Sequence, residues 1–131
     1  MKILAADGIS PEGIGLLTDY EVDVRDKISH EELLDVIGDY DALMVRSASK
    51  VTADVLERAG KLKIIGRAGV GVDNIDVKAA TERGIIVINS PGGNTIAATE
   101  HTVAMMLAMA RNIPTADATM HAGQWNRKAY V

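Results

Sequence analysis

The sequence predicts an α/β fold, a doubly wound parallel sheet of five strands with helices on both faces. Five short β-rich runs, at 2–6, 21–25, 42–46, 63–67 and 84–90, alternate with segments that carry helix signals. Strand, helix, strand repeated in this way implies parallel pairing, since each parallel strand is reached through a crossover. The runs are also mostly apolar throughout, as strands covered on both faces should be.

Each element has a local reason. "KILAA" (2–6) is the first strand, and Ser10-Pro11 supplies an N-cap followed by proline at the first helical position. "EVDVR" (21–25) is the second strand. Ser29, with Glu32 three residues on, forms a capping box ahead of "LLDVI". "ALMVR" (42–46) is the third strand, and Thr52 opens "TADVLERAG", which closes on Gly60. "KIIGR" (63–67) is the fourth strand. Asn74 or Asp76 then opens a helix that closes on Gly84, and "GIIVINS" (84–90) is the fifth strand. After Ile96 the character changes to a longer helical pattern, "TIAATEHTVAMMLAMARN", then "PTADATMHAGQW" and a basic "NRK". No sixth strand follows. Residues 1–95 thus read as one domain and 96–131 as the start of another, so the chain is expected to be a fragment.

Composition narrows the class. The 131 residues suit about one domain, and 47% of them are hydrophobic, enough for a real core without any phenylalanine. Net charge is −4 and the pI about 5.3, which argues against nucleic acid or an anionic membrane as partner. Absence of cysteine excludes disulfides, Cys-ligated zinc and thiol catalysis. "MKILAADG" lacks the apolar stretch of a signal peptide, and the longest apolar run, "VAMMLAMA", is far short of a membrane span. A soluble, cytoplasmic protein is expected.

The chemistry concentrates around "KIIGRAGVGVDNID" (63–76). A dinucleotide fingerprint requires glycines for the turn, for close pyrophosphate approach and for helix packing. Gly69 and Gly71 supply two, and Asn74 stands where the third belongs. No acid follows at ribose-binding distance, where the chain offers Asn89 and Ser90, and the loop follows the fourth strand rather than the first. As a dinucleotide fingerprint it fails. A ligand-free turn with positive φ glycines stays open on these residues alone. Position favours a site, because ligands of parallel α/β sheets sit at the carboxyl ends of strands. Arg46-Ser47 ends the third strand, Arg67 the fourth and "NSPGGN" (89–94) the fifth. Two arginines with forked donors, a hydroxyl, an amide and backbone N–H groups imply a small anion with more than one negative group.

Other features read as structure. Glu100 and His101 are helical neighbours that diverge by about 100°, so they cannot jointly grip one proton or metal. Met105, Met106 and Met109 form a packing stripe, His30 and His121 stand isolated in solvent, and the acids of "SHEELLDVIGDYD" form a solvated helix face. Trp125 reads as an anchor for the segment after it. No metal site is expected.

The stretch from Arg46 to Asn112, "RSASKVTADVLERAGKLKIIGRAGVGVDNIDVKAATERGIIVINSPGGNTIAATEHTVAMMLAMARN", resembles the D-isomer-specific 2-hydroxyacid dehydrogenases. The resemblance implies a flavodoxin-like substrate-binding domain at 1–95. It also implies a helix crossing into a Rossmann domain from residue 96, with "GQWNRKAYV" just before the nucleotide-binding strand. It places Arg46, Ser47, Arg67, Gly69, Asn94 and, more loosely, Arg127 around the substrate, and Val70 near the nicotinamide end of NAD. The two arginines fit a 2-hydroxy acid bearing phosphate as well as carboxylate. The family's catalytic Arg, Glu and His and its GxGxxG are expected beyond Val131, so the chain alone is expected to be inactive. Homo-oligomers are expected. Alternatives are a family member acting on another 2-hydroxy acid and a non-enzymatic, corepressor-like relative. A signalling receiver domain is disfavoured, because it needs clustered acids after the first strand and an Asp after the third, where this chain has Asp7 alone and Arg46-Ser47.

Overall fold

The computed structural model describes residues 1–130. The chain divides into two compact units, Met1–Gly93 and Asn94–Val131.

The first unit is a five-stranded, all-parallel sheet in the order β2-β1-β3-β4-β5. Its strands are β1 (Lys2–Ala6), β2 (Glu21–Arg25), β3 (Ala42–Val45), β4 (Ile64–Arg67) and β5 (Ile86–Asn89). The predicted runs hold, with β3, β4 and β5 trimmed by one to three residues where their ends become loop. Connecting them are α1 (Pro11–Gly15), α2 (His30–Val36), α3 (Ala53–Arg58) and α4 (Val77–Glu82). The strand order reverses after β2, so right-handed crossovers put α1 on one face and α2, α3 and α4 on the other.

That second face holds the core. Leu4 and Ala6 of β1, Leu43 and Val45 of β3 and Ile65 of β4 pack against Leu33 of α2, Ile37, Val55 and Leu56 of α3, and Ala79 and Ala80 of α4, all buried. Each large aliphatic chain taken fully out of water contributes about 1.5–3 kcal/mol relative to exposure. The α1 face is thinner. Ile3 and Ala5 are buried there, α1 itself buries no residue, and Ile86 and Ile88 of β5 stay more than half exposed.

The caps follow the sequence. Ser10 accepts from the Gly13 amide at 3.2 Å, with Pro11 at the helix start. The Ser29 hydroxyl accepts from the Glu32 amide at 3.1 Å and the Glu32 carboxylate accepts from the Ser29 amide at 2.9 Å, a complete capping box. Of the two candidates for opening α4, Asp76 is the cap, accepting from the Ala79 amide at 2.9 Å. Gly84 terminates that segment at φ +70°. Thr52 caps α3 by position only, and its hydroxyl donates to Asp54 instead.

The second unit contains α5 (Thr95–Ala110), α6 (Ile113–His121) and a short 3₁₀ segment (Arg127–Tyr130). Apolar residues ring α5: Ile96, Val103, Met105, Met106, Leu107 and Met109 are all at least half exposed or nearly so. Helices that are apolar all round belong to buried environments, so the methionines are part of a broader surface than one stripe. Trp125 is 77% exposed. No helix among the described residues is long and apolar enough to cross a membrane.

Ser29→Ala should lower stability by about 1 kcal/mol, because it leaves the Glu32 amide uncapped. Urea unfolding should show a lower midpoint with unchanged slope. An unchanged midpoint would mean that the capping box does not contribute.

Candidate functional site

The sheet register brings strand ends to one level. Val45 lies opposite Arg67, and Arg67 opposite Asn89. Just past these ends, the loops after β1, β3 and β4 meet.

The loop 46–49 is held from three sides. Asp7, directly after β1, accepts from the Arg46 amide at 2.9 Å, from the Ser49 amide at 2.9 Å and from the Ser49 hydroxyl at 2.6 Å. Asn74 donates through Nδ2 to the carbonyls of Arg46 at 3.0 Å and Ser49 at 2.7 Å. Arg67 Nε donates to the same Arg46 carbonyl at 3.2 Å. A parallel bridge between Val51 and Ile75 ties the two loops together further on.

Burial pushes the Asp7 carboxyl up, but the Ser49 hydroxyl and the amides of Ser49, Arg46 and Ala48 outweigh it, leaving the group below the usual carboxylate range. A depressed folded-state pKa means that its contribution stands in full above the unfolded value. It is lost as pH falls through the folded one.

Arg67 is a tucked arginine with its side chain only 11% exposed. Besides the Arg46 carbonyl it donates through Nη1 to the carbonyl of Gly71, and Nη2 lies 3.7 Å from an Asp73 carboxylate oxygen. The glycines make room for it. A Cβ at Gly69 would stand 3.3 Å from Arg67 Nη1, and one at Gly71 would meet the same atom at 3.3 Å and Asp73 Oδ1 at 2.9 Å. Neither glycine has positive φ, so closeness to a guanidinium, rather than left-handed backbone, is what they serve. The Gly69 amide is already bonded to the Arg67 carbonyl at 2.9 Å, so this residue offers space more than a donor. Asn89 fixes the far side of the turn, donating to the Val70 carbonyl at 2.6 Å, while the Ser90 amide donates to Gly69 at 3.0 Å. Val70 at the tip is 43% exposed.

Arg46 differs from its neighbours. Arg25, Arg58, Arg67 and Arg83 each pair with a carboxylate. Among the described residues none pairs with Arg46, which is exposed beside exposed Ser47. The structure therefore gathers Arg46, Ser47, Arg67, Gly69 and Val70 at one edge of the first unit. Asn94 and Arg127 belong to the second unit, where Asn94 precedes α5 and accepts from the Ala98 amide at 2.9 Å, and Arg127 begins the last 3₁₀ segment.

Sequence reasoning missed Asp7 and Asn74 as parts of this assembly, while Asn89 lies in the "NSPGGN" segment that it placed at this edge. The strand-end rule that selected Arg46 and Arg67 selects Asp7 and Asn89 equally. His30 is also not isolated: its Nε2 lies 3.1 Å from Asp54 Oδ2. Bonds from Thr52 first and His30 second bring the Asp54 carboxyl down to about 2.

The model of the D-isomer specific 2-hydroxyacid dehydrogenase catalytic domain matches residues 3–126. The chain belongs to this family. It is 52% identical over 131 residues to a D-3-phosphoglycerate dehydrogenase of Synechocystis sp., covering 99% of this chain and 24% of the relative. It is 53% identical to the D-3-phosphoglycerate dehydrogenase of Methanocaldococcus jannaschii, covering 99% of this chain and 25% of that protein. The chain thus spans about a quarter of the length of these relatives. Among solved structures, an NAD+-bound 3-phosphoglycerate dehydrogenase of Entamoeba histolytica superposes with a TM-score of 0.74 at 31% identity, over 85% of this chain and 39% of the other.

Gly71→Ala should displace the Arg67 guanidinium and cost about 1 kcal/mol, with shifted amide resonances at Arg46 and Gly71. Gly92→Ala, whose added Cβ meets open space, should stay within about 0.5 kcal/mol of wild type. Equal effects of the two would show that Arg67 does not need the room.

Proposed function

We propose that this chain is the substrate-binding part of an NAD-dependent enzyme that oxidises 3-phospho-D-glycerate to 3-phosphohydroxypyruvate, the first step of serine biosynthesis. The observation that carries the proposal is an exposed Arg46 guanidinium without an acidic partner among the described residues, beside Ser47, on a loop fixed at the carboxyl edge of a parallel sheet. Near-half identity over the whole chain to D-3-phosphoglycerate dehydrogenases supports the choice of substrate.

In this reading residues 1–95 form the substrate domain. Residues 96–131 form the helix leading into a nucleotide domain and that domain's first residues. The apolar ring of α5 supports such a role, because it calls for a covering domain or a second copy. The residues described do not fit a dinucleotide cradle: Gly69 and Gly71 face the Arg67 guanidinium, and the Gly69 amide is already bonded to the Arg67 carbonyl. What they fit is the approach of a nicotinamide ring to Val70, exposed at the tip of the turn. NAD, bound mainly by residues outside this chain, would accept the hydride from C2 of the substrate.

This chain's own part is to bind and orient. Arg46 gives a forked, permanently charged donor to a phosphate or carboxylate, and Ser47 adds a hydroxyl donor. Arg67 keeps the turn in shape and lends positive potential from beneath. The hydroxyl proton and the final grip on the carboxylate fall to residues outside the chain.

In the parent enzyme, Arg46→Ala should lower kcat/KM for 3-phosphoglycerate about tenfold to a hundredfold, the worth of one hydrogen bond to a charged group. D-Glycerate, which lacks the phosphate, should lose much less. Arg67→Ala should lower both substrates together, since it loosens the turn. The 131 residues alone should show no turnover. Equal losses for both substrates in Arg46→Ala would assign Arg46 to the carboxylate and favour a dehydrogenase of another 2-hydroxy acid.

A further inference from the structure

We infer that Asp7 is the positioning residue of this site: its carboxylate holds the 46–49 loop in the form that presents the Arg46 guanidinium and the Ser47 hydroxyl to an anion. The inference rests on the proposed anion site and deepens it.

The backbone is built for the task. Asp7 has φ +62° and Gly8 follows at φ +66°. Left-handed backbone is uncommon outside glycine, though Asp and Asn tolerate it best. Two such residues in succession turn the chain sharply after β1 and set the carboxylate over the end of β3. There both oxygens are engaged: Oδ2 by the amides of Arg46 and Ser49, Oδ1 by the Ser49 hydroxyl at 2.6 Å. Ser49 is 6% exposed, so its hydroxyl has no other use in solvent. The residues on either side of Ser47–Ala48 are thereby pinned, and Arg46 and Ser47 project from a fixed base.

The chemistry of the placement is informative because its sign is wrong for a simple anion site. A carboxylate at the mouth of such a site repels the ligand, so electrostatics alone favours its removal. Asp7 instead directs its charge into the loop's own donors, where charge-assisted bonds are strongest. Neutralising it therefore has opposite consequences in the two accounts. If Asp7 is only a nearby charge, an anion binds more tightly without it. If Asp7 positions the loop, the anion binds more weakly.

Asp7→Asn makes the distinction. Asparagine keeps the size and tolerates the left-handed backbone, and its Oδ1 can still accept from the two amides while its Nδ2 donates to the Ser49 hydroxyl, so the substitution removes the charge that strengthens these bonds rather than the bonds themselves. The test is calorimetric titration of the parent enzyme with 3-phospho-D-glycerate, together with amide exchange at Arg46 and Ser49. Asp7→Asn should weaken binding about tenfold and speed exchange at both amides. Ser49→Ala, with charge unchanged, should move both readouts in the same direction by less. Asp19→Asn, the same charge change at an exposed site before β2, should move neither. Binding that is unchanged or tighter in Asp7→Asn overturns the inference while leaving the anion site standing. Absence of binding by the wild-type parent enzyme overturns the site reading itself, and this inference with it. Should Asp7→Asn fail to fold, Ser49→Ala decides, and unchanged affinity and exchange there overturn the inference.

Discussion

The Arg46 peptide unit is hydrogen-bonded on both sides by residues distant in sequence. Its N–H goes to Asp7, 39 residues earlier, and its carbonyl receives both Arg67 Nε and Asn74 Nδ2, 21 and 28 residues later. Everything else at the carboxyl edge follows from this junction. The parallel register supplies it, because parallel strands end at the same edge and their following residues must find partners there. Backbone groups beyond a strand end have lost the ladder, and side chains of Asp, Asn and Arg replace it. One consequence is that these three side chains are committed to structure, while the Arg46 guanidinium pairs with no carboxylate among the described residues.

The glycine turn shows how a motif can mislead when its composition is considered without its neighbours. Two glycines after a parallel strand suggest a backbone brought close to phosphate. Here they bring the backbone close to a guanidinium that the strand itself supplies. Arg67 fills the concavity, bonds the Gly71 carbonyl and faces the Asp73 carboxylate, so the turn is closed on itself with Val70 at its tip. Its anion affinity would come from charge on side chains, whereas a dinucleotide loop uses bare amides and a helix N-terminus. Arg67 is thus better described as part of the turn than as a free reader of phosphate.

Local features were legible in the sequence. The five strands, the Ser10 and Ser29 caps and the Gly84 stop each depend on residues within a few positions, and each appears where the pattern places it. That Arg46, Ser47 and Arg67 share one sheet edge was legible too, since it needs only strand ends. The partners within it were not. Asp7 acts on Arg46 and Ser49 through a register that no local window contains, and the same is true of His30 with Asp54. Asn74 looked like a failed third glycine because its function is to donate to two carbonyls across the loop. The choice between Asn74 and Asp76 as the α4 cap was undecided for the same reason: both are good caps, and tertiary use of Asn74 leaves the role to Asp76.

The central claim is that Arg46 meets the anion while Asp7, Asn74 and Arg67 hold the loops that aim it. A crystal structure with 3-phosphoglycerate bound tests this most directly. The account predicts an anionic group of the ligand on the Arg46 guanidinium and Ser47 hydroxyl, with Arg67 still bonded to the carbonyls of Arg46 and Gly71. A ligand gripped by an Arg67 that has swung out of the turn, or one seated away from Arg46, would contradict it.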